Sequence, residues 1–430
     1  MKKLIFLSLL FSFVSIFRVN AQTGAWSGEL EVQGTKIPLV FHLDDEKPTI
    51  DSPAQGVKGI PIQLIRIETD SISINIPMIG ATFTGKCKGS EIIGKFTQRG
   101  MVLPLTLHSG DTTFHRPQTP KPPFPYQQEE VSFLNGDAVL KGTLTLPEGY
   151  NSETPVVIMV TGSGLQNRDE EIYEHKPFAV IADALARNGI ASLRYDDRGF
   201  AESTGDVVNC TTEDLMNDAL AGIDLLRQKF NKVGVVGHSE GGSIALLLGA
   251  DKKADFIVSL AGMVISGKET LMDQNRSAFS LTDYPQEVAD EYCNLLSSIF
   301  DCDATTSEKL EKSNLPAELK QNLKAVVQQM KSPYMQYFVA LDPSKKLGDI
   351  KCPVLALNGT KDTQVCYEKN LEALNKGLPK NDFNKIVALN DLNHLFQNCK
   401  TGTLSEYALI EETISPKVLT LITDFIRLQK

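Results

Sequence analysis

The feature that most constrains this chain is a glycine-rich turn between an apolar β-branched run and a helical run. Residues 233–236 (VGVV) predict a short buried strand, and residues 243–246 (SIAL) predict the beginning of a helix. Between them lies GHSEGG, which places Ser239 in a G-x-S-x-G pattern. Glycines permit such a turn because they carry no side chain that would collide where backbone segments approach each other. The pattern predicts that Ser239 is a nucleophile held above a sheet edge. The alternative is a glycine-rich turn that contains an incidental serine.

The chain beyond residue 130 alternates between strand-like and helix-like segments. Helices are predicted at residues 177–188 and 213–229. Strands are predicted at residues 131–134, 138–146, 156–160, 190–195, 233–236, 256–260, 354–357 and 385–389. Such alternation predicts an α/β fold with a mostly parallel, doubly wound sheet. In that architecture, functional sites lie at the carboxyl ends of the strands.

The alternation stops at about residues 264–350, which form an insertion between two predicted strands. Within it, helices are predicted at residues 286–300, 307–312 and 317–330. We expect this insertion to form a helical cap above the strand ends and to supply much of a substrate pocket. Near its end, Tyr334, Tyr337 and Phe338 are candidates for lining that pocket. The alternative, that these three rings pack in the core of the cap, is equally open.

Three segments precede the α/β region. Residues 1–21 begin with two lysines and an apolar run and end in small residues, which predicts a signal peptide cut after Ala21. We therefore expect export, to the periplasm or out of the cell. Residues 22–116 show short apolar segments separated by turn residues, which predict an all-β domain folded as a small barrel or sandwich. Residues 117–126 contain five prolines and predict an extended linker to the α/β domain at residues 127–430.

The charge of the chain bears on its partners. The full sequence carries a formal net charge of −10, and cleavage after Ala21 would remove three basic residues and leave −13. An acidic exported protein is a poor candidate for binding nucleic acid or anionic membranes. We expect a small-molecule substrate, no nucleic acid and no stable membrane insertion. The oligomeric state is left open.

A serine hydroxyl is a weak nucleophile until a base takes its proton and an acid orients that base. His394 follows the last predicted strand and is the only histidine beyond the predicted turn, so it is the candidate base. Asp362 lies on the turn after residues 354–357 and is the preferred acid. Asp391 is its rival because it lies three residues before the histidine. His238, inside the glycine-rich turn, is expected to point away from the serine hydroxyl and to pack.

Acyl transfer also needs N–H donors where the negative oxygen of the tetrahedral intermediate forms. The backbone N–H of Glu240, directly after the nucleophile, is one expected donor. The loop after residues 156–160 is expected to supply the other, with the Ser163 N–H preferred and those of Gly164 and Leu165 as alternatives. Gly164 and Leu165 are also expected to lie beside the substrate. The alternative is a plain loop rich in small residues.

These motifs make the chain resemble secreted bacterial α/β-hydrolase esterases of the serine-aminopeptidase-like superfamily. The likeness is carried by GSGLQNRDE (162–170), YDDRG (195–199), GHSEGG (237–242), SPYMQYF (332–338), NGTKDTQV (358–365) and LNHLF (392–396). The resemblance implies an α/β-hydrolase fold with a helical cap insertion and a small all-β amino-terminal domain. It also implies a carboxylic-ester hydrolase that uses Ser239, Asp362 and His394 in the roles given above.

Two other functions are kept as alternatives to an esterase that works through a serine acyl-enzyme. The first is a peptidase or amidase on the same three residues, for which Glu170, Glu171 or Glu240 could bind a chain end. The second is a binding protein that retains the fold without catalysis. Paired ester and amide assays would distinguish a peptidase or amidase from an esterase. Labelling by a fluorophosphonate would distinguish an enzyme from a binding protein.

The chain contains seven cysteines. Their spacings contain no CxxC pair, and neither a metal nor an organic cofactor is expected. An oxidising compartment would permit disulfides, although the odd number leaves at least one thiol unpaired. Two pairings are hypotheses: Cys293 with Cys302, which are close in sequence, and Cys366 with Cys399, which follow the candidate acid and base.

Overall fold

The structure is a computed structural model of the chain. It describes residues 24–32, 35–43, 47–52, 57–68, 71–98, 100–110 and 115–429. The signal peptide predicted at residues 1–21 lies outside these ranges. The chain divides into two compact units, residues 1–113 and 114–430.

The first unit is one antiparallel sheet. Its strands, within the described residues, are β1 (Ala25–Val32), β2 (Thr35–His42), β3 (Thr49–Ser52), β4 (Val57–Pro61), β5 (Gln63–Glu68), β6 (Ser71–Ile76), β7 (Ala81–Lys88), β8 (Glu91–Gln98) and β9 (Met101–Ser109). They pair in the order β4-β3-β2-β1-β9-β8-β7-β6-β5. Most strands pair with their neighbours in sequence, as short antiparallel connections favour, and β1 also pairs with β9.

The sheet curls around a single apolar core. Phe41 of β2 and Phe83 of β7 have ring centroids 5.5 Å apart, although three strands lie between β2 and β7 in the sheet. Such a contact requires the two halves of the sheet to face each other across one interior, as in a barrel. The all-β expectation agrees with this architecture. The sequence patterns do not predict β3 and β4, because these strands are short and contain the polar residues and glycine that are typical of turns.

The second unit is built on a mostly parallel sheet. Its strands are β10 (Gln127–Asn135), β11 (Ala138–Leu146), β12 (Val156–Val160), β13 (Ala191–Tyr195), β14 (Val233–His238), β15 (Ile257–Leu260), β16 (Val354–Gly359) and β17 (Lys385–Leu389). They pair in the order β10-β11-β13-β12-β14-β15-β16-β17. The β10–β11 hairpin and the β11–β13 pair are antiparallel, and the other pairs are parallel. This is the α/β-hydrolase arrangement that the resemblance implies.

Helices cover both faces of this sheet. The described helices are α1 (Pro177–Arg187), α2 (Thr212–Leu226), α3 (Glu240–Ala250), α4 (Gly267–Phe279), α5 (Gln286–Phe300), α6 (Thr306–Lys312), α7 (Ala317–Gln329), α8 (Pro333–Ala340), α9 (Tyr367–Gly377), α10 (Leu404–Tyr407) and α11 (Pro416–Arg427). Alternate residues of β12 enter different cores: Ile158 belongs to the apolar cluster that includes side chains of α2, α3 and α9, whereas Val157 belongs to the cluster that includes side chains of α1 and α11. The continuous apolar run in β12 therefore reflects a strand that is buried on both faces.

Helices α4 to α8 form the insertion between β15 and β16. Apolar side chains of α4, α5, α6, α7 and α8 share one core, which includes Leu296 and Leu323. The cap expected at about residues 264–350 therefore exists as a helical subdomain. Helix α4 is not among the predicted cap helices, because its sequence, GKETLMDQNRSAF, has few apolar residues in a helical period.

The structure places the proline-rich segment differently from the predicted spacer. The side chain of Gln118 donates a 2.8 Å hydrogen bond to the Ile414 carbonyl oxygen. The hydroxyl of Tyr126 donates a 2.9 Å hydrogen bond to Asp183 on α1. Residues 117–126 thus belong to the second unit, because side chains at both ends of the segment are bonded to its surface.

Neither hypothesised disulfide is present. Cys293, Cys302, Cys366 and Cys399 are all free thiols. Among the described residues, no helix has the length and apolar character needed to cross a bilayer.

Candidate active site

Ser239 occupies a sharp turn between β14 and α3. Its backbone has φ 53° and ψ −118°, a strained conformation for a residue with a side chain. The flanking glycines make the turn possible. A Cβ atom at Gly237 would lie 1.9 Å from the Gly241 carbonyl oxygen, and one at Gly241 would lie 2.1 Å from the Val160 carbonyl oxygen. The G-x-S-x-G spacing therefore has the steric cause expected from the sequence, and Ser239 lies at the carboxyl end of a central strand.

The structure brings His394 and Asp362 together. His394 Nδ1 lies 2.7 Å from Asp362 Oδ2, and both side chains are buried. The other carboxylate oxygen of Asp362 accepts hydrogen bonds from the backbone N–H groups of Gln364 and Val365, at 2.8 and 2.9 Å. The side chain of Asn358 donates a 3.0 Å hydrogen bond to Oδ2. These contacts fix a carboxylate that can hold the imidazole in one orientation.

The rival acid, Asp391, is placed elsewhere. Its side chain is 68% exposed and forms an ion pair with Lys361, with 2.9 Å between Asp391 Oδ1 and Lys361 Nζ. Asp362, in contrast, has a fully buried side chain in contact with His394. The geometry therefore favours Asp362 over Asp391 as the partner of the histidine.

The loop after β12 approaches the nucleophile closely. A Cβ atom at Gly162 would lie only 3.1 Å from the Cβ atom of Ser239, so this glycine lets the loop contact the turn. Ser163 follows in the loop and is exposed, and Glu240 is the first residue of α3. The two predicted N–H donors are thus on segments that meet beside Ser239. Their roles in binding an oxyanion stay predictions.

The buried carboxyl group of Asp197 forms hydrogen bonds with the loop that follows β12. The hydroxyl of Thr161 lies 2.9 Å from Asp197 Oδ1, and the backbone N–H of Gln166 donates a 2.8 Å hydrogen bond to Oδ2. Burial raises the pKa of the Asp197 carboxyl to about 8, although these hydrogen bonds lower it. The nearby carboxylates of Glu170 and Asp218 raise the pKa further. Asp197 therefore anchors both ends of the loop that carries Ser163.

His238 connects the loop to the candidate base. Its Nδ1 lies 2.9 Å from Glu170 Oε1, and its Nε2 lies 3.0 Å from the carbonyl oxygen of His394. The same Glu170 oxygen accepts a 2.8 Å hydrogen bond from the Gly162 N–H. The sequence pattern predicts only packing for His238. The ring is indeed buried, but it also bonds the backbone of His394 to the carboxylate that holds the loop.

The cap contributes Tyr334 to the same region. Its hydroxyl donates a hydrogen bond to Glu240 Oε2, while Glu240 Oε1 accepts a 2.6 Å hydrogen bond from the hydroxyl of Thr212. The ring of Tyr334 is stacked on that of Phe338, with centroids 5.9 Å apart. Phe338 is buried, and Tyr337 is half-buried. Tyr334 and Phe338 therefore pack against each other, and Tyr334 adds a polar contact with the first residue of α3. That the three rings line a substrate pocket stays a prediction.

The other predicted pocket residues lie on the loop surface. Gly164 has φ 94°, a conformation that favours glycine, and is exposed. Leu165 is 43% exposed. Their contact with a substrate stays a prediction. Among the described residues, no cluster of His, Cys, Asp and Glu side chains is arranged to hold a metal ion.

Comparison with known proteins places this arrangement in a family. Residues 135–395, more than half of the chain, match the family described as X-Pro dipeptidyl-peptidase (S15 family). The chain belongs to the S15 family. The match extends from the β10–β11 hairpin to the residue after His394, and it includes Ser239, Asp362 and the whole cap. The S15-family chain is therefore a serine hydrolase of the α/β-hydrolase fold.

Proteins to which this S15-family chain is similar are named as esterases or as a peptidase. Esterase EstD of Thermotoga maritima is 28% identical over 317 residues, which cover 73% of this chain and 71% of the relative. The solved Pyrococcus furiosus esterase Pf2001 is 16% identical, with a TM-score of 0.43 and coverage of 75% of this chain and 99% of its own. The proline iminopeptidase of Mycobacterium smegmatis is 12% identical, with a TM-score of 0.45 and coverage of 70% and 98%.

The sequence patterns leave several groups around the site without a predicted role. They predict none for Asp197 or Asn358, and for Glu170 only that of a possible chain-end binder. The partners of Glu170 and Asp197 are far away in sequence: Glu170 and His238 are 68 positions apart, and Asp197 and Thr161 are 36 apart. The signal that could have singled them out is a charged residue within a segment that must be buried, since buried charges need partners.

Proposed function

We propose that this protein hydrolyses carboxylic esters through a serine acyl-enzyme, with Ser239 as nucleophile, His394 as base and Asp362 as the acid that orients the base. The observation that carries the proposal is the 2.7 Å contact between His394 Nδ1 and Asp362 Oδ2 beside the strained turn of Ser239. The three residues follow β14, β17 and β16, which are parallel strands. They therefore lie at the same carboxyl edge, where α/β sheets place their sites.

The reaction proceeds in two halves. His394 takes the Ser239 proton as the hydroxyl oxygen attacks the ester carbonyl carbon, and the resulting tetrahedral oxyanion accepts hydrogen bonds from the N–H groups of Ser163 and Glu240. The carbon–oxygen bond to the alcohol then breaks, and His394 donates its proton to that oxygen. Water, deprotonated by His394, then attacks the acyl carbon of the acyl-enzyme. The bond from that carbon to Ser239 Oγ breaks, His394 returns the proton to Oγ, and the acid is released. Asp362 holds the imidazole and stabilises its cationic form in both halves.

The carboxylates around the site favour an ester over a peptide with a free amino terminus. An exopeptidase needs an acid available for the substrate ammonium group. Glu170 is 3% exposed and engaged with His238, and Glu240 is 2% exposed and engaged with Thr212 and Tyr334. Glu171 is exposed, but its Oε2 atom lies 3.6 Å from Lys176 Nζ. Each of the three already has a partner. The name of the Thermotoga relative, an esterase, supports the same choice.

Peptidase activity is the second candidate function, and the family description, X-Pro dipeptidyl-peptidase, is the observation that favours it. A dipeptidyl-peptidase would cleave Gly-Pro p-nitroanilide, whereas an esterase would cleave p-nitrophenyl acetate. We expect the ester to be the better substrate by kcat/KM. A higher kcat/KM for the amide would replace the proposed function by the second candidate.

The nucleophile is tested by Ser239→Ala, with Ser280→Ala as the matched control at an exposed cap position. Ser239→Ala should abolish both hydrolysis of p-nitrophenyl acetate and labelling by a fluorophosphonate, because no other serine in the mechanism can form the adduct. Ser280→Ala should behave as the wild type does. Full activity in Ser239→Ala would overturn the assignment, and a wild-type chain that never reacts with the fluorophosphonate would indicate a binding protein.

A further inference from the structure

The curled sheet of the first unit encloses a cavity of about 370 Å³. Six strands that are adjacent in the sheet, β4-β3-β2-β1-β9-β8, contribute to its wall, and the turn Pro77–Ile79 between β6 and β7 adds Ile79. Close-packed protein interiors contain few voids larger than a water molecule. A small barrel either fills its interior with side chains or holds one small ligand. The size of this cavity is that of a small-molecule site.

The wall of the cavity is mainly apolar. Its apolar members include Leu39, Ile50, Val57, Phe96, Met101 and Leu103. Of the described residues that line the cavity, only Ser52 and Gln98 are polar, and none is charged. The side-chain amide of Gln98 donates a 3.0 Å hydrogen bond to the Ile79 carbonyl oxygen. A water molecule held in a cavity needs several polar partners, so this wall favours an apolar occupant over water.

The cavity reaches the surface beside Met101, whose side chain lines it and is 57% exposed. The side chains of Leu39, Ile50 and Phe96, which also line it, are buried. An elongated molecule therefore fits with its apolar end against the buried residues and its polar end in water at Met101. A charged end group would lose part of its hydration at this opening without meeting an opposite charge in the wall, which is unfavourable.

We propose that the first unit binds one neutral molecule with an aliphatic chain, such as a medium-length alcohol, in this cavity. The carbons of the chain contact the apolar wall, and each methylene group that leaves water contributes to the affinity. The hydroxyl group stays in water beside Met101. The inference goes beyond the proposed function, because it assigns a ligand to a unit whose residues have no role in the proposed reaction.

A natural reporter of binding lies in the same core. Trp26 is the only tryptophan of the chain. It is 2% exposed and belongs to the apolar cluster that also contains Leu39, Ile50 and Phe96. A bromine atom quenches tryptophan fluorescence only at short range. A brominated chain in the cavity should therefore quench Trp26, whereas the same compound bound to the second unit should not.

The test titrates the intact chain with bromodecanol that carries its bromine at the end opposite to the hydroxyl group. We expect saturable quenching of Trp26 with one molecule bound per chain, and reversal of the quenching by unbrominated decanol. Decanoate should compete at least roughly 10-fold less well than decanol, because its charge has no partner in the wall. Decanol is not an ester, so its binding is measured whether or not the chain hydrolyses esters.

Two variants fill the cavity from different strands, Leu103→Phe on β9 and Val57→Phe on β4. Each should weaken the binding of bromodecanol by at least roughly 10-fold, because the larger side chain and the ligand cannot both be accommodated without overpacking. Val102→Phe is the matched control, since Val102 is the neighbour of Leu103 on β9 and is 55% exposed. It should bind as the wild type does. Measurement of Tm identifies a variant that fails to fold, in which case the other cavity-filling variant decides.

Three results would overturn the inference. The first is a wild-type chain in which quenching of Trp26 does not saturate up to the solubility limit of bromodecanol. The second is a folded Leu103→Phe or Val57→Phe chain with the affinity of Val102→Phe, which would place the ligand outside the cavity. The third is an equal affinity for decanoate and decanol, which would contradict the selection of a neutral molecule. None of these results bears on the esterase proposal, which is decided by the reaction of Ser239.

Discussion

His238 Nδ1 lies 2.9 Å from Glu170 Oε1, and both groups are buried. The opposite ring nitrogen, Nε2, lies 3.0 Å from the carbonyl oxygen of His394. With Glu170 ionised, both partners of the ring are acceptors, and the imidazolium form, in which both nitrogens donate, satisfies both contacts. Burial alone lowers the pKa of His238, but the charge and hydrogen bond of Glu170 outweigh it and raise the pKa above its ordinary value of 6.5.

Replacing Glu170 by Gln should change the shift in the pKa of His238 from an increase above its ordinary value of 6.5 to a decrease below it. The wild-type ring keeps its proton as the pH rises past 6.5, so its stabilising contribution is present below that pH and is lost as the pH passes the raised pKa. Without the Glu170 charge, burial dominates and the pKa should fall below 6.5. An NMR titration of histidine ring protons, with the His238 signal assigned through His238→Asn, measures the shift directly.

The matched control is Glu171→Gln, which neutralises the neighbouring but exposed carboxylate. It should leave the His238 titration unchanged. We also expect Glu170→Gln to lower kcat by roughly 10-fold, because Gly162 and the His394 backbone are both bonded through this pair. An unchanged His238 pKa in Glu170→Gln would show that the contact with Glu170 does not keep the His238 imidazole charged.

The acid is tested by Asp362→Asn against Asp391→Asn. An amide at position 362 keeps the shape of the side chain but loses the charge that stabilises the cationic His394, and it permits the wrong tautomer of the ring. We expect kcat for ester hydrolysis to fall by roughly 10⁴-fold, the loss typical of such a change in a serine triad. Asp391→Asn, which removes only the exposed pair with Lys361, should stay within twofold of the wild type. Equal losses in the two variants would contradict the choice of acid.

The parts of the fold that the sequence predicts are those governed by local patterns. The continuous apolar run of β12 can be recognised in the sequence because burial on both faces acts on adjacent residues. The glycine turn after β14 can be recognised because a steric limit does the same. Ser239, Asp362 and His394 follow from chain order and from the strands they succeed. In contrast, β3 and α4 lack a clear apolar period, and β3 pairs with β2 and β4 while α4 contributes to the shared core of the cap.

The polar network around the site could not be predicted in the same way. Glu170 with His238, and Tyr334 with Glu240, are pairs separated by 68 and 94 positions. Which carboxylate meets which donor depends on how the loop after β12, the glycine-rich turn and the cap pack against each other. Composition records that these charged residues exist, whereas their partners are fixed only by the three-dimensional fold.

The close approach of the loop to the nucleophile gives a further prediction, for Gly162→Ala. The new Cβ atom would lie 3.1 Å from Ser239 Cβ, so the serine or the loop must move by a few tenths of an ångström. A small displacement of reacting groups can cost up to about 10²-fold in rate, so we expect kcat to fall while Tm changes little. Gly348→Ala, where a Cβ atom meets nothing within 4 Å, is the control for activity and Tm. Wild-type kcat in Gly162→Ala would mean that the loop after β12 does not constrain the position of Ser239.

The buried carboxyl of Asp197 makes stability depend on pH between about 4 and 8. Its pKa rises from 3.8 to about 8 on folding, chiefly through burial, so the folded chain holds a proton that the unfolded chain releases. The resulting stabilisation is complete below pH 3.8 and is lost as the pH rises towards 8, with a slope of at most about 1.4 kcal/mol per pH unit. Asp197→Asn should remove this decline from the free energy of unfolding, measured by urea denaturation across that range.

The control for this experiment is Asp206→Asn. Asp206 is an exposed residue whose pKa is lowered by hydrogen bonds from the Asn209 side chain and from the backbone N–H groups of Val208 and Asn209. It is therefore ionised throughout the range, and its replacement should leave the slope between pH 4 and 8 as in the wild type.

A comparison of Asp197→Asn with Asp197→Ala distinguishes the loss of the titrating carboxyl group from the loss of the hydrogen bonds to the loop. Asp197→Asn keeps an acceptor for Thr161 or Gln166, so its kcat should fall less than that of Asp197→Ala, which leaves both donors without their partner. If Asp197→Asn and Asp206→Asn have the same slope, burial does not hold Asp197 protonated in the folded chain.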